Sequence, residues 1–119
     1  GVRRRGDRPE AQRLAPAVAA RAPRGSVIVG TLEVTLLIRE SHSLKTRRRV
    51  VRSLKDRIRS RFNVAVADVG GQDSWQTAVL AVAAVSNDGR FINETLSKVL
   101  NLVQSEPRVE IVRHRLEMR

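Results

Sequence analysis

From Gly25 to Arg119 the apolar residues alternate between two kinds of spacing, and the order of that alternation leaves few folds open. SVIVGTLEVTLLI is long and β-branched, which predicts a first strand over 27–38. In RESHSLKTRRRVVRSLKDRIRSRF the apolar positions return every three or four residues. That spacing predicts a helix over 43–61 with Ser43 as its N-cap. NVAVADV predicts a second strand over 64–69, GGQDS a turn, and WQTAVLAVAAVS a third strand over 75–86. Asn87 or Asp88 can cap a second helix over 88–104, which Pro107 ends. RVEIVRHRLEM predicts a last strand over 108–117. The order βαββαβ is the split-βαβ, ferredoxin-like plan. It is an α+β fold in which a four-stranded antiparallel sheet carries both helices on one face.

Ahead of this domain, residues 1–24 contain seven Arg and three Pro and little that could pack, so a disordered basic arm is expected there and a single domain over 25–119. No apolar run approaches the roughly 20 residues that span a bilayer, and the arm lacks the apolar segment of a signal peptide. The chain is therefore expected to be soluble and cytoplasmic. It has no cysteine, which excludes disulfides and thiolate metal sites.

Charge narrows the choice of partner. Lys and Arg number 23 against 12 Asp and Glu, a net charge of +11. Such an imbalance bears on partners and points to a polyanion. At 100° per residue, Leu44, Val50, Val51, Leu54, Ile58 and Phe62 fall in an arc of about 120° on the first helix and should face the sheet. Lys45, Arg48, Arg52, Lys55 and Arg59 step by 3, 4, 3 and 4 along its flank, and Arg49 and Arg57 widen the band. Nine cations stand against Asp56 alone within residues 43–62, whereas a solvated helix face normally mixes signs. An interfacial membrane helix needs an apolar flank, and here that flank belongs to the core. Nucleic acid is thus the expected partner, held through its phosphates by Lys45, Arg48, Arg49, Arg52, Lys55 and Arg59. The chain's aromatic residues are Phe62, Trp75 and Phe91, too few for a sheet that reads RNA through stacked bases.

Strands 1 and 3 read as apolar on both faces, through Val29 and Leu37 in one and Val79, Ala81, Ala83 and Val85 in the other. A second copy of the chain is the expected cover, with Trp75 and Gln72 at the strand-3 entry as partner contacts. A protein-interaction or dimerisation module that uses this open face is the alternative to the nucleic-acid reading.

Catalytic and cofactor signatures fare poorly. DVGGQDSW, residues 68–75, resembles the D-x-x-G-Q switch of GTP-binding proteins. Yet none of the seven glycines precedes a lysine, as a phosphate cradle G-x-x-x-x-G-K-[ST] requires, and no N-K-x-D follows. A hairpin turn explains the glycines. Ser41-His42-Ser43 pairs hydroxyls with an imidazole, but capping accounts for the serines and no orienting acid is indicated. His42 and His114 are the only histidines and lack the spacing of metal ligands. Acylphosphatases share the plan but place a Gly-rich anion loop after strand 1, where this chain has RESHSL. No enzyme activity, cofactor or metal is expected.

Three segments in order carry a family resemblance: HSLKTRRRVVRSLKDRIRSRFNVAVADV, then QDSWQTAVLAVAAVSND, then KVLN. Over residues 27–112 or so the chain resembles the YlxP-like family of small bacterial proteins of unknown function. The resemblance implies a ferredoxin-like domain. It also implies a genomic neighbourhood of transcription-elongation, translation-initiation and ribosome-maturation factors, and hence ribosomal RNA or ribosome assembly as context. It supplies no catalytic residues. The family's recurrent positions correspond to Ser43, Leu44, Lys45, Arg48, Phe62, Asn63, Val64, Gln72, Trp75 and Asn87.

Overall fold

A computed structural model describes residues 26–119; the arm expected over 1–24 lies outside them. The elements are β1 (Ile28–Ile38), α1 (Leu44–Arg61), β2 (Ala65–Gly70), β3 (Thr77–Ser86), α2 (Gly89–Gln104) and β4 (Val109–Met118). Each boundary lies within two residues of the one the spacing predicts. The strands form one antiparallel sheet in the order β2-β3-β1-β4, so the fold is ferredoxin-like α+β.

Alternation decides which residues enter the core. Leu32, Val34, Leu36 and Ile38 of β1 and Ala78, Leu80, Val82 and Ala84 of β3 all point to the helix side and are buried. They meet Val50, Val51, Leu54 and Ile58 of α1 and Ile92, Leu96, Val99, Leu102 and Val103 of α2 in a single cluster. The close fit is seen at Gly30, where an added Cβ would collide with Ile92 Cγ2 of α2. Both helices start on a side-chain cap. Ser43 Oγ accepts from the Thr46 amide at 3.1 Å, and Asp88 Oδ1 accepts from the Arg90 amide at 3.0 Å and, at 3.4 Å, from that of Phe91. Asp88, not Asn87, is thus the second cap.

The outer face of the sheet departs from the expectation of an apolar surface. Across β2 and β3 it is indeed small and apolar, with Ala65 and Ala67 beside Ala81 and Ala83. In β1, Thr31, Glu33 and Thr35 occupy that side, and β4 sets Glu117, Arg115 and Arg113 opposite them. The face is therefore apolar on one half and charged on the other. Each edge strand carries one extra residue: the register skips Val69 in β2 and Val112 in β4.

Candidate nucleic-acid interface

Helix α1 holds nine cations and one acid, Asp56, while the rest of the described residues hold seven cations and nine acids. The positive charge of residues 26–119 therefore sits on one helix. Helix stability does not account for this pattern. The positive end of a helix dipole favours acids in the first turn, and α1 has none there but has Lys45 and Arg47. Like charges three or four residues apart cost about 0.2–0.5 kcal/mol per pair.

The nine cations divide into two groups. Three are engaged. The Arg47 side chain is only 3% exposed and salt-bridges Asp68 at 2.9 Å. Arg57 reaches Glu106 at 2.7 Å. Arg59 lies 3.6 Å from the Asp56 carboxylate and donates to the Val66 carbonyl at 3.4 Å. Among the described residues no carboxylate lies in salt-bridge reach of Lys45, Arg48, Arg49, Arg52, Lys55 or Arg61. Lys45, Arg48, Arg49 and Arg52 surround one hollow of about 240 Å³. Lys55, half-buried, and Arg59 continue the line toward the helix C-terminus. The Asp56–Arg59 pair is solvent-exposed and worth under about 1 kcal/mol, so it competes weakly with an incoming anion. The band occupies the solvent side of α1, opposite its core stripe.

Arg47 is the exception among the cations, and it fixes the helix in place. Its Nε donates to the Thr77 carbonyl at 2.8 Å, its two terminal nitrogens to both Asp68 carboxylate oxygens at 2.9 and 3.1 Å, and one of them also to the Gly70 carbonyl at 3.0 Å. Four bonds from one planar group are what guanidinium geometry allows and an ammonium does not. They join the first turn of α1 to both strands of the β2–β3 hairpin.

This contact also disposes of the switch motif. Asp68 is occupied by Arg47, and Gln72 Nε2 donates to the Asp68 carbonyl at 2.9 Å. Gly71 has φ +76°, and a Cβ there would approach the Thr77 carbonyl oxygen to 2.8 Å. The Ser74 hydroxyl accepts from the amides of Gln76 at 3.1 Å and Thr77 at 3.2 Å. Asp68, Gln72 and Ser74 are thus all engaged in holding the hairpin. Of the two residues expected at a partner contact, Gln72 is engaged within its own hairpin, and Trp75 stands out at 53% exposure.

The remaining candidates also resolve into structure. Ser41 is buried, and its hydroxyl donates to the Ser43 carbonyl at 3.2 Å, while the Ser43 hydroxyl caps α1. His42 lies in the loop after β1 and His114 within β4, both exposed. Among the described residues no three His, Cys, Asp or Glu form a group that could hold a metal ion. No described helix is long and apolar enough to cross a membrane.

A second ionic centre escaped the sequence reading. Glu106, buried between α2 and β4, accepts from Arg108 Nε at 2.7 Å and from Arg57 at 2.7 Å. Arg108 also reaches the Ser53 hydroxyl on α1 at 3.1 Å. The hydrogen bond from Arg108 lowers the Glu106 pKa from 4.5 to about 2, against the opposing effect of burial. Together, Arg47 at one end and Glu106 at the other hold α1 by its ionic partners as well as by its apolar stripe.

Comparison with known proteins places these residues in a family context. The family model described as "Protein of unknown function (DUF503)" matches residues 29–116. The uncharacterized protein YlxP of Bacillus subtilis (strain 168) is 32% identical over 83 residues, covering 70% of this chain and 90% of that protein. The span matched by the family model takes in all of α1, β2, β3 and α2, nearly all of β1 and β4, and the whole basic band.

Proposed function

Because the chain belongs to the DUF503 family, the YlxP-like proteins, whose description assigns no function, we propose on its own chemistry that it is a non-enzymatic accessory protein of RNA or the ribosome in the cytoplasm. The solvent side of α1 is the binding surface. Lys45, Arg48, Arg49 and Arg52 receive phosphates around their shared hollow, and Lys55 and Arg59 extend the track. One observation carries this reading. Of the six cations of α1 with no acidic partner among the described residues, all but Arg61 are gathered on one face, against the preference of the helix itself. A polyanion relieves the repulsion that this arrangement creates.

Binding of a labelled RNA stem-loop, followed by anisotropy over a range of salt, tests the proposal. On a duplex, log K falls by about 0.9 per decade of salt for each phosphate neutralised, so four contacts give a slope of about −3.6. The triple variant Arg48→Gln/Arg49→Gln/Arg52→Gln should flatten that slope by about 2 to 3 with an unchanged circular dichroism spectrum. A slope unaltered by the triple change overturns the assignment of α1.

The outer sheet face favours a second reading, a homodimer or protein-interaction module. Ala65, Ala67, Ala81 and Ala83 with Thr31 line a shallow trough of about 200 Å³ on the apolar half. Small side chains let another surface come close. Light scattering separates its two forms: a dimeric mass that persists at high salt supports apolar self-pairing, and a monomer removes the homodimer and leaves the face to a different protein partner.

A further inference from the structure

We propose that Trp75 is a base-stacking platform beside the basic band, so that the RNA recognised carries an unpaired nucleotide next to its duplex. The proposal rests on the RNA reading of α1 and adds the feature that α1 alone cannot supply, a preference among RNAs.

Trp75 is the chain's one indole and is 53% exposed. The hairpin that carries it is pinned from several sides. Arg47 holds the carbonyls of Gly70 and Thr77 on either side of the loop, Gln72 holds Asp68, and Ser74 holds the two amides that follow Trp75. A stacking surface presented on a fixed loop loses little freedom on binding.

The loop's position supplies the second argument. Thr77 pairs with Leu37 at the end of β1, and the Gln76 carbonyl accepts from the Ile38 amide at 2.7 Å. The loop therefore lies at the end of the sheet from which α1 departs. Arg47, bonded to this hairpin, is flanked on its helix by Lys45, Arg48 and Arg49. A duplex whose phosphates lie on the first turns of α1 therefore extends toward the sheet end that carries this loop.

The third argument is chemical. Beside Trp75, the side chains of Asp73, Ser74 and Gln76 border an open hollow of about 380 Å³. An acid there repels phosphate, but its oxygens accept from the exocyclic amino groups of bases, and an amide reads either kind of base edge. An indole with a carboxylate and an amide suits a splayed-out base, the usual target of RNA recognition. This differs from the paired sheet aromatics that the chain lacks, because the platform is a single ring on a loop.

The sole tryptophan makes the test direct, since intrinsic fluorescence reports on Trp75 alone. Titration with an RNA hairpin that has an unpaired loop should quench it, and a blunt duplex of the same stem should bind with little quenching. Trp75→Ala should weaken the hairpin roughly five- to 150-fold, the span of measured single-base stacking effects. It should leave the duplex affinity and both salt slopes unchanged, and Trp75→Phe should recover most of the loss. Equal wild-type affinity for hairpin and duplex, or full hairpin affinity in Trp75→Ala, overturns the proposal. If the α1 triple variant still flattens the salt slope in that case, the phosphate reading stands and Trp75 alone is discarded. If wild-type protein binds neither RNA, both fall.

Discussion

Arg47 and Arg48 are adjacent and chemically identical, yet one is core and the other is surface. The difference is 100° of helical rotation. Arg47 precedes Val50 and Val51 by three and four residues, which puts it on the apolar stripe, and Asp68 shares the inward parity of Val66 in β2. Two opposite charges, each at an inward position, were the legible signal of a buried pair. The count of nine cations concealed it, because a tally ignores direction. Truncating one partner leaves the other charge buried and unpaired, which costs about 3–5 kcal/mol. Arg47→Met should therefore lower the unfolding free energy by about that much in urea denaturation, while Arg48→Met should stay within about 0.5 kcal/mol. Arg47→Lys should be nearly as damaging as the methionine change, because an ammonium cannot make four bonds in one plane. Similar effects for positions 47 and 48 would contradict the described geometry.

The elements themselves were readable because strand and helix spacing seldom agree with each other by chance, and both helix starts carry hydroxyl or carboxylate caps. Ser43→Ala should remove about 1 kcal/mol, measured as a lower midpoint in urea. What the sequence did not disclose is how the elements are tied to one another. Glu106 and Arg108 stand in a connection whose composition is ordinary, and their meaning depends on Arg57 and Ser53, about fifty residues earlier in the chain. Their linkage to pH follows from the direction of the shift. The folded Glu106 pKa lies below the unfolded one, so its contribution is fully present above about pH 5 and is lost as pH falls through about 2. The shift corresponds to on the order of 3 kcal/mol. Acid titration of stability should show this limb in the wild type and lose much of it in Glu106→Gln. An identical acid profile for the two proteins would remove Glu106 from the account.

Across the described residues as a whole, the positive end of the charge distribution is one helix, and the free protein bears that repulsion. Added salt should raise the thermal midpoint of the wild type, and the triple variant at Arg48, Arg49 and Arg52 should start higher and respond less. A midpoint independent of salt would mean that the band is too well hydrated to matter. That the charge was legible before the fold reflects how little it depends on packing. The outer sheet face was not, because Arg113, Arg115 and Glu33 come together only once β4 pairs with β1. The same sheet ends on two interrupted edges, with Val69 displaced on one side and Val112 on the other. A strand with an extra residue is a poor template for another strand, so growth of the sheet by edge-to-edge addition is blocked on both sides. Two interrupted edges thereby keep copies of the chain from joining into ribbons through their sheets.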